Sequence, residues 1–369
     1  MTILGSQFFY FLVIIVSSVL AYISQISRKE KIKDRVEYNR FFMLLSFLIL
    51  TFPVAFRYRT GADYDTYRYI YQVIAENGIN DIRVQTVEII FKVLNYLCYI
   101  FFGNAQSIFV IMAILTNYFI YKGLLYESKK INLGIAIFTY GFTLYFFTFS
   151  IMRNMLGISI IFYSLRFIFE KKLLKYIITV LVATLIHNSL IAFLLLSVFF
   201  VEKLKKRMLY ISAFLAILMP FSLNIFDLFI RYILTNYRRF EIYDGIIYND
   251  TNGIIYLLVC SVPIIPFSLA LKKMKKNNEH IDIYMALYIL SIGLLSLSSI
   301  IPLISRFVYA LWISQLILFS SFSGTFQKRE MRFFVNLGIF IYGSILIVFY
   351  LNLDYYFLLP YNIAFNNNY

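Results

Sequence analysis

Ten apolar stretches recur along the chain, at 8–26, 41–56, 106–125, 132–150, 154–169, 208–226, 253–271, 281–301, 307–322 and 333–351, with short polar tracts between them. Inside a bilayer no water meets the backbone N–H and C=O groups, so such runs must satisfy their own hydrogen bonds as helices. A span needs roughly 20 apolar residues, and the shorter runs reach that by extending into their polar flanks. The 369 residues are 61% hydrophobic and 14% charged, with a mean hydropathy of +0.77, which leaves too little polar sequence to wet a soluble domain. The expected fold is all-α, a polytopic integral membrane helical bundle forming a single domain over 1–369. The first run has no basic residue before it and no small-residue cleavage site after it, and reads as a retained helix. Cys98 and Cys260 lie in apolar runs, which offers neither a disulfide framework nor metal-ligand spacing.

The tracts 28–40, 122–130, 171–175, 203–207, 272–276 and 328–332 are basic, and the positive-inside bias puts them in the cytoplasm. This distribution also explains the net charge of +15 without a nucleic-acid partner; the expected partner is membrane lipid. Residues 174–201 are apolar between two basic ends, so one straight crossing is excluded. A hairpin of two short helices turning at His187-Asn188-Ser189 satisfies both ends, and its polar tip must line a cavity rather than face lipid. Residues 87–102 carry Glu88 and Lys92 on an apolar helical stripe, and read as a helix lying in the outer leaflet. The expected topology has about 12 membrane segments and both termini outside. Extracytoplasmic loops fall at about 57–105, which carries amphipathic helices, and 227–252.

Sorted by side, the cytoplasmic face holds 17 Lys and 7 Arg against 9 acidic residues, and the outer face holds 10 basic and 10 acidic residues. Nine of those ten outer cations are Arg: 57, 59, 68, 83, 153, 231, 238, 239 and 306. Arginine presents a planar fork that grips phosphate or carboxylate in two places, whereas lysine is a hydrated point charge. An outer face that uses Arg almost alone is suited to an anionic ligand, although pairing with the ten outer acids is the plainer use of the same charges.

The densest polar stretch runs from Phe56 to Tyr67, with Arg57, Arg59, Gly61, Asp63, Tyr64, Asp65 and Tyr67. Tyr64 and Tyr67 offer rings and hydroxyls of the kind that meet sugars. Arg153-Asn154 opens a helix at the outer boundary, Ala183 to Ser189 forms the hairpin tip with His187, and Arg306 lies near Tyr309. An intramembrane histidine is costly and usually functional. Arg238 and Arg239, among tyrosines, suit either a glycan contact or a headgroup anchor. His280 falls in a cytoplasmic turn and reads as solvated.

Taken together, the Arg-Tyr-Arg-Thr-Gly-x-Asp-Tyr-x-x-Tyr loop, Arg153, the Ala-x-x-x-His-x-Ser hairpin and Arg306 with its tyrosine resemble the EpsG family of exopolysaccharide polymerases, related to Wzy-type O-antigen and capsule polymerases. The resemblance runs from about Phe41 to Trp312; Asn154 stands where the family often has Gln. It implies a bacterial inner-membrane glycosyltransferase with its active site outside, acting on undecaprenyl-pyrophosphate-linked oligosaccharide repeats. It also implies a chain-length regulator and a flippase as partners. Under this reading Arg57, Arg59, Arg153 and Arg306 hold the leaving pyrophosphate, and Asp63 is the leading general base with His187, Glu88 and Asp65 behind it. Tyr64, Tyr67, Arg238 and Arg239 contact sugar. No carboxylate cluster points to a metal, so no cofactor is expected and the transfer is expected to be inverting and metal-independent. The competing readings are a flippase or other transporter of an amphiphile, and another extracytoplasmic transferase such as a ligase or O-acyltransferase.

The topology has a direct check. Cysteines introduced at Asp81 and Asn252 are expected to react with a membrane-impermeant thiol reagent in intact cells, and one at Asn277 is not. Labelling only at Asn277 would invert the topology.

Overall fold

The computed structural model describes residues 1–27, 38–222, 251–298, 301, 304–354 and 356–364; Arg238, Arg239 and most of the loop 227–252 lie outside them. The described elements are all helical, apart from an isolated antiparallel bridge between Arg57 and Ile363. Helices α1 (Ile3–Ile26) and α2 (Arg40–Ala55) are followed by α3 (Tyr64–Asn77), α4 (Ile89–Phe102) and α5 (Gln106–Tyr126). Helix α6 (Leu133–Thr143) ends in a 3₁₀ turn, Tyr145–Phe149, ahead of α7 (Met152–Phe169) and α8 (Leu173–Thr184). A 3₁₀ run, Asn188–Phe200, leads to α9 (Glu202–Lys205) and α10 (Met208–Phe221). The C-terminal third holds α11 (Thr251–Ser261), α12 (Ile264–Asn277), α13 (Ile281–Ser296), α14 (Ser305–Trp312), α15 (Ser314–Gly324) and α16 (Arg329–Leu353).

Among the described residues, six helical stretches are long and apolar enough to cross a membrane, Ile3–Ile26, Gln106–Tyr126, Met152–Phe169, Ile255–Asn277, Ser305–Gly324 and Arg329–Leu353, and seven other apolar helices have only 10–17 residues. Helix length therefore accounts for six of the dozen segments expected. The run 132–150 shows why. It breaks at Leu144 into α6 and the 3₁₀ turn, and it is almost wholly buried against α1, α15 and α16 instead of facing lipid.

The segment 174–201 does fold back on itself. Helix α8 and the 3₁₀ run pack together, the Tyr176 hydroxyl donates to the Phe193 carbonyl, and Lys171 meets Glu202 at 3.2 Å across the base. The second arm is 3₁₀ rather than α, so its 13 residues rise about 2 Å each and reach roughly 26 Å, against about 18 Å for the 12 residues of α8. His187 caps the start of that arm, at the tip.

At the same end of the bundle as this tip, the orphan carbonyls of α2 find side-chain donors. Arg57 donates to Val54, Gln106 to Ala55 and the Tyr361 hydroxyl to Pro53. The loop after α2 is then held from both sides. Residues 356–364 return as a strap, with Tyr58 N–H donating to Asn362, Gly61 N–H to Phe357 and Ala364 N–H to Phe56. Below, Ala62 N–H donates to Ser150 Oγ just before α7. Gly61 sits at φ +103° with the Phe149 carbonyl so close that a Cβ would lie 1.9 Å from its oxygen.

The opposite end gathers Lys130, Lys171, Lys172 and Lys275 in ion pairs. His280, expected to be solvated there, is instead buried. Its Nδ1 lies 2.9 Å from Glu127, its ring stacks on Phe169 at 3.7 Å, and Asn278 and Tyr284 donate to the same carboxylate. The turn is not solvated because Glu127, at the end of α5, and Phe169, at the end of α7, close over it.

Gly61→Ala should therefore lower the stability of the protein by more than about 2 kcal/mol, because both φ and the backbone contact oppose a side chain. Gly338→Ala, in open space within α16, should be neutral or slightly stabilising. Thermal unfolding of the purified variants in detergent measures both.

Candidate active site

Four segments far apart in sequence meet where the hairpin tip, α4, α7 and α14 converge. Glu88, just ahead of α4, is their hub, with its side chain 6% exposed. One carboxylate oxygen takes Nη1 of Arg153 at 2.6 Å. The other lies 3.1 Å from His187 Nδ1 and accepts the Asn188 backbone N–H at 3.2 Å. A carboxylate only accepts, so Nδ1 donates to it, and the second ring nitrogen is left to accept from a donor. That nitrogen faces Arg306 Nη1 at 3.4 Å. A relay Arg153–Glu88–His187–Arg306 results.

Asp63 joins from the loop. It is half-buried at the start of α3, leaves that helix uncapped, hydrogen-bonds Tyr67 and lies in the field of both Arg153 and Arg306. The guanidinium of Arg153 is flanked by the rings of Tyr67 and Phe91, at 5.8 and 5.4 Å. Tyr309 stacks on Phe147 at 4.0 Å and shares a 2.8 Å hydroxyl contact with Tyr356 of the strap.

The two carboxylates have opposite electrostatics. Burial pushes Glu88 up, but the His187 hydrogen bond, the Arg153 charge and the backbone N–H of Asn188 outweigh it and hold the group at about 2. Burial raises Asp63 above its ordinary value in spite of Arg153 and Arg306. Glu88 is thus a fixed anion, and Asp63 is the more basic carboxylate, open enough to meet a ligand.

The other expected site residues fall elsewhere. Arg57 is fully buried between Phe109 at 4.8 Å and Phe149 at 5.7 Å, with the Met152 sulfur at 3.7 Å, and burial brings its pKa down to about 10. It braces the loop and does not join the relay. Arg59 is exposed over Tyr58, in a left-handed conformation at φ 44°. Tyr64 is buried with its ring stacked on Phe109 at 4.6 Å, so that face is not open to a sugar. Tyr67 is buried too, but touches Asp63 and Arg153.

A family model for the EpsG family matches residues 40–363, which includes every residue of this cluster. The chain belongs to the EpsG family. Membership points to an exopolysaccharide polymerase role in a multi-pass membrane protein. No curated protein and no solved structure matches the chain. The EpsG match extends past Trp312 into the strap, beyond the stretch in which the sequence motifs are legible. Glu88 is the member that the sequence left in the background. An acid heading an apolar run, it argued against a crossing at 87–102 and stood only as a fallback general base behind Asp63.

Glu88→Gln keeps the acceptor for His187 but strips Arg153 of its counter-charge, and should cost about 2 kcal/mol at neutral pH. Because the native pKa is depressed, the advantage of the wild type is complete above the ordinary value of 4.5 and fades as pH falls toward 2. Thermal unfolding of both proteins at pH 7 and pH 3 tests this. An equal gap at the two pH values would contradict the charge assignment.

Proposed function

We propose that this protein joins undecaprenyl-pyrophosphate-linked oligosaccharide repeat units into exopolysaccharide on the outer face of the bacterial cytoplasmic membrane. The observation that carries this reading is the pair Arg153 and Arg306, linked through Glu88 and His187 and overlooked by Asp63. In the reaction, a hydroxyl of the acceptor unit attacks the anomeric carbon of the donor. The bond from that carbon to the pyrophosphate oxygen breaks with inversion, and negative charge grows on the leaving group. Two guanidinium forks supply the matching positive charge, a role that needs no metal.

The hydroxyl proton goes to Asp63, whose raised pKa suits a general base. His187, locked by Glu88 into one tautomer, aims Arg306 at the leaving group. When Arg306 turns to the pyrophosphate, the ring nitrogen it leaves becomes the second proton acceptor in reach. Arg59 and Tyr67 line the approach of the substrate, and a flippase and a chain-length regulator act before and beside the enzyme. The charge asymmetry favours an enzyme over a flippase, which would carry cations through the middle of the bundle rather than at one end.

Lys in place of Arg keeps the charge but loses the fork, so Arg153→Lys and Arg306→Lys should each reduce polymer formation about a hundredfold. Arg83→Lys should be nearly silent, since Arg83 is exposed and engaged with Asp81 and Tyr69, outside the relay. Polymer amount and length, normalised to protein level by immunoblot, read the effect; normal polymer from both clamp variants would sink the assignment. In a deletion strain, single lipid-linked repeats should accumulate outside the membrane, whereas accumulation inside would mean a flippase.

A further inference from the structure

Next to Arg153 stands a group that the relay does not use. The Asn154 side chain is buried, with 2% of its surface exposed, yet neither its Nδ2 nor its Oδ1 has a hydrogen-bond partner among the described residues. A buried amide left unmade is costly, and such exceptions call for a reason. On a helix of 3.6 residues per turn, Asn154 lies about 100° from Arg153 and about 60° from Gly157. Gly157 packs so closely on Leu190 that a Cβ would sit 1.9 Å from it, and Met152 on the far side of α7 faces Arg57. Asn154 therefore lies on the flank of α7 beyond Gly157; α5, α8, the 3₁₀ arm and α14 all pack on this helix, and the last two bring His187 and Arg306 to it.

We propose that Asn154 is a specificity-determining residue that binds the sugar attached to the pyrophosphate, which rests on the polymerase reading above. A primary amide that lacks both a donor and an acceptor partner matches a group offering both at one place, a sugar hydroxyl or acetamido group. A pyrophosphate oxygen only accepts and would leave Oδ1 unmade. The amide is shut off from solvent in the ligand-free chain, so the sugar reaches it through a local opening beside α7, as Arg306 turns from His187 to the leaving group.

Such a residue weakens the free protein for the sake of the bound one, which sets the sign of the test. Asn154→Leu should raise the Tm of the purified, ligand-free protein by about 2 °C while cutting polymer yield at least about tenfold at normal protein level. Asn154→Ala, should Leu not be accommodated, should cut polymer in the same way without lowering Tm. A clear fall in Tm in both variants would make the amide a structural group, and normal polymer from either would mean it meets no substrate; each overturns the proposal. Added inorganic pyrophosphate should stabilise wild type and Asn154→Leu equally. A shift lost in Asn154→Leu would assign the amide to phosphate instead of sugar. Arg153→Lys run alongside separates the two levels. If it makes normal polymer, the reading of the site fails and this proposal with it; if it fails while Asn154→Leu polymerises normally, only the proposal falls.

Discussion

A 2.6 Å ion pair between Glu88 and Arg153 holds the arginine-rich end of this bundle together. Removing two charges from water is expensive, and attraction in a low dielectric compensates only when the remaining hydrogen-bonding positions are also filled. Glu88 meets that condition through His187 and the backbone of Asn188. The consequence is geometric. α4, α7 and the hairpin tip cannot shift relative to one another without exposing a charge to the bilayer, and Arg306 on α14 is aligned through the far nitrogen of the same histidine. Cations suited to an anionic ligand thus have their positions set by one buried acid.

Arg57 shows how differently the same residue type behaves one segment away. It is buried without a carboxylate, between two phenylalanine rings, and its hydrogen bonds go to a helix-end carbonyl and a sulfur. Its work is to close the end of α2 so that the loop to Asp63 has a fixed start. The strap 356–364 and Ser150 fix the rest of that loop, which brings the half-buried Asp63 into the field of both Arg153 and Arg306.

The two histidines make a parallel comparison. Each buries Nδ1 against a glutamate, His187 at the arginine-rich end and His280 at the lysine-rich end. His280 is enclosed by a stacked ring and neighbouring donors, which suits a packing joint between α5, α7 and α13. Only His187 turns its second nitrogen toward a guanidinium, and that difference separates a joint from a site.

The sequence by itself determined the helical membrane class, because long apolar runs leave the backbone no other way to bond. It determined the hairpin, because basic tracts at 171–175 and 203–207 cannot lie on opposite sides of one crossing. It also singled out most members of the candidate site, because Asp63, Arg153, His187 and Arg306 are costly in such surroundings and stand out singly. Tertiary structure alone decided which arginines come together: Arg57 and Arg153 are alike in sequence, and only packing sends one between aromatic rings and the other to Glu88. It also made Glu88 the hub, gave the C-terminal strap its task and left Asn154 unpaired. Those features depend on residues 50 to 300 positions apart coming into contact, and a local pattern of polarity carries no record of such distances.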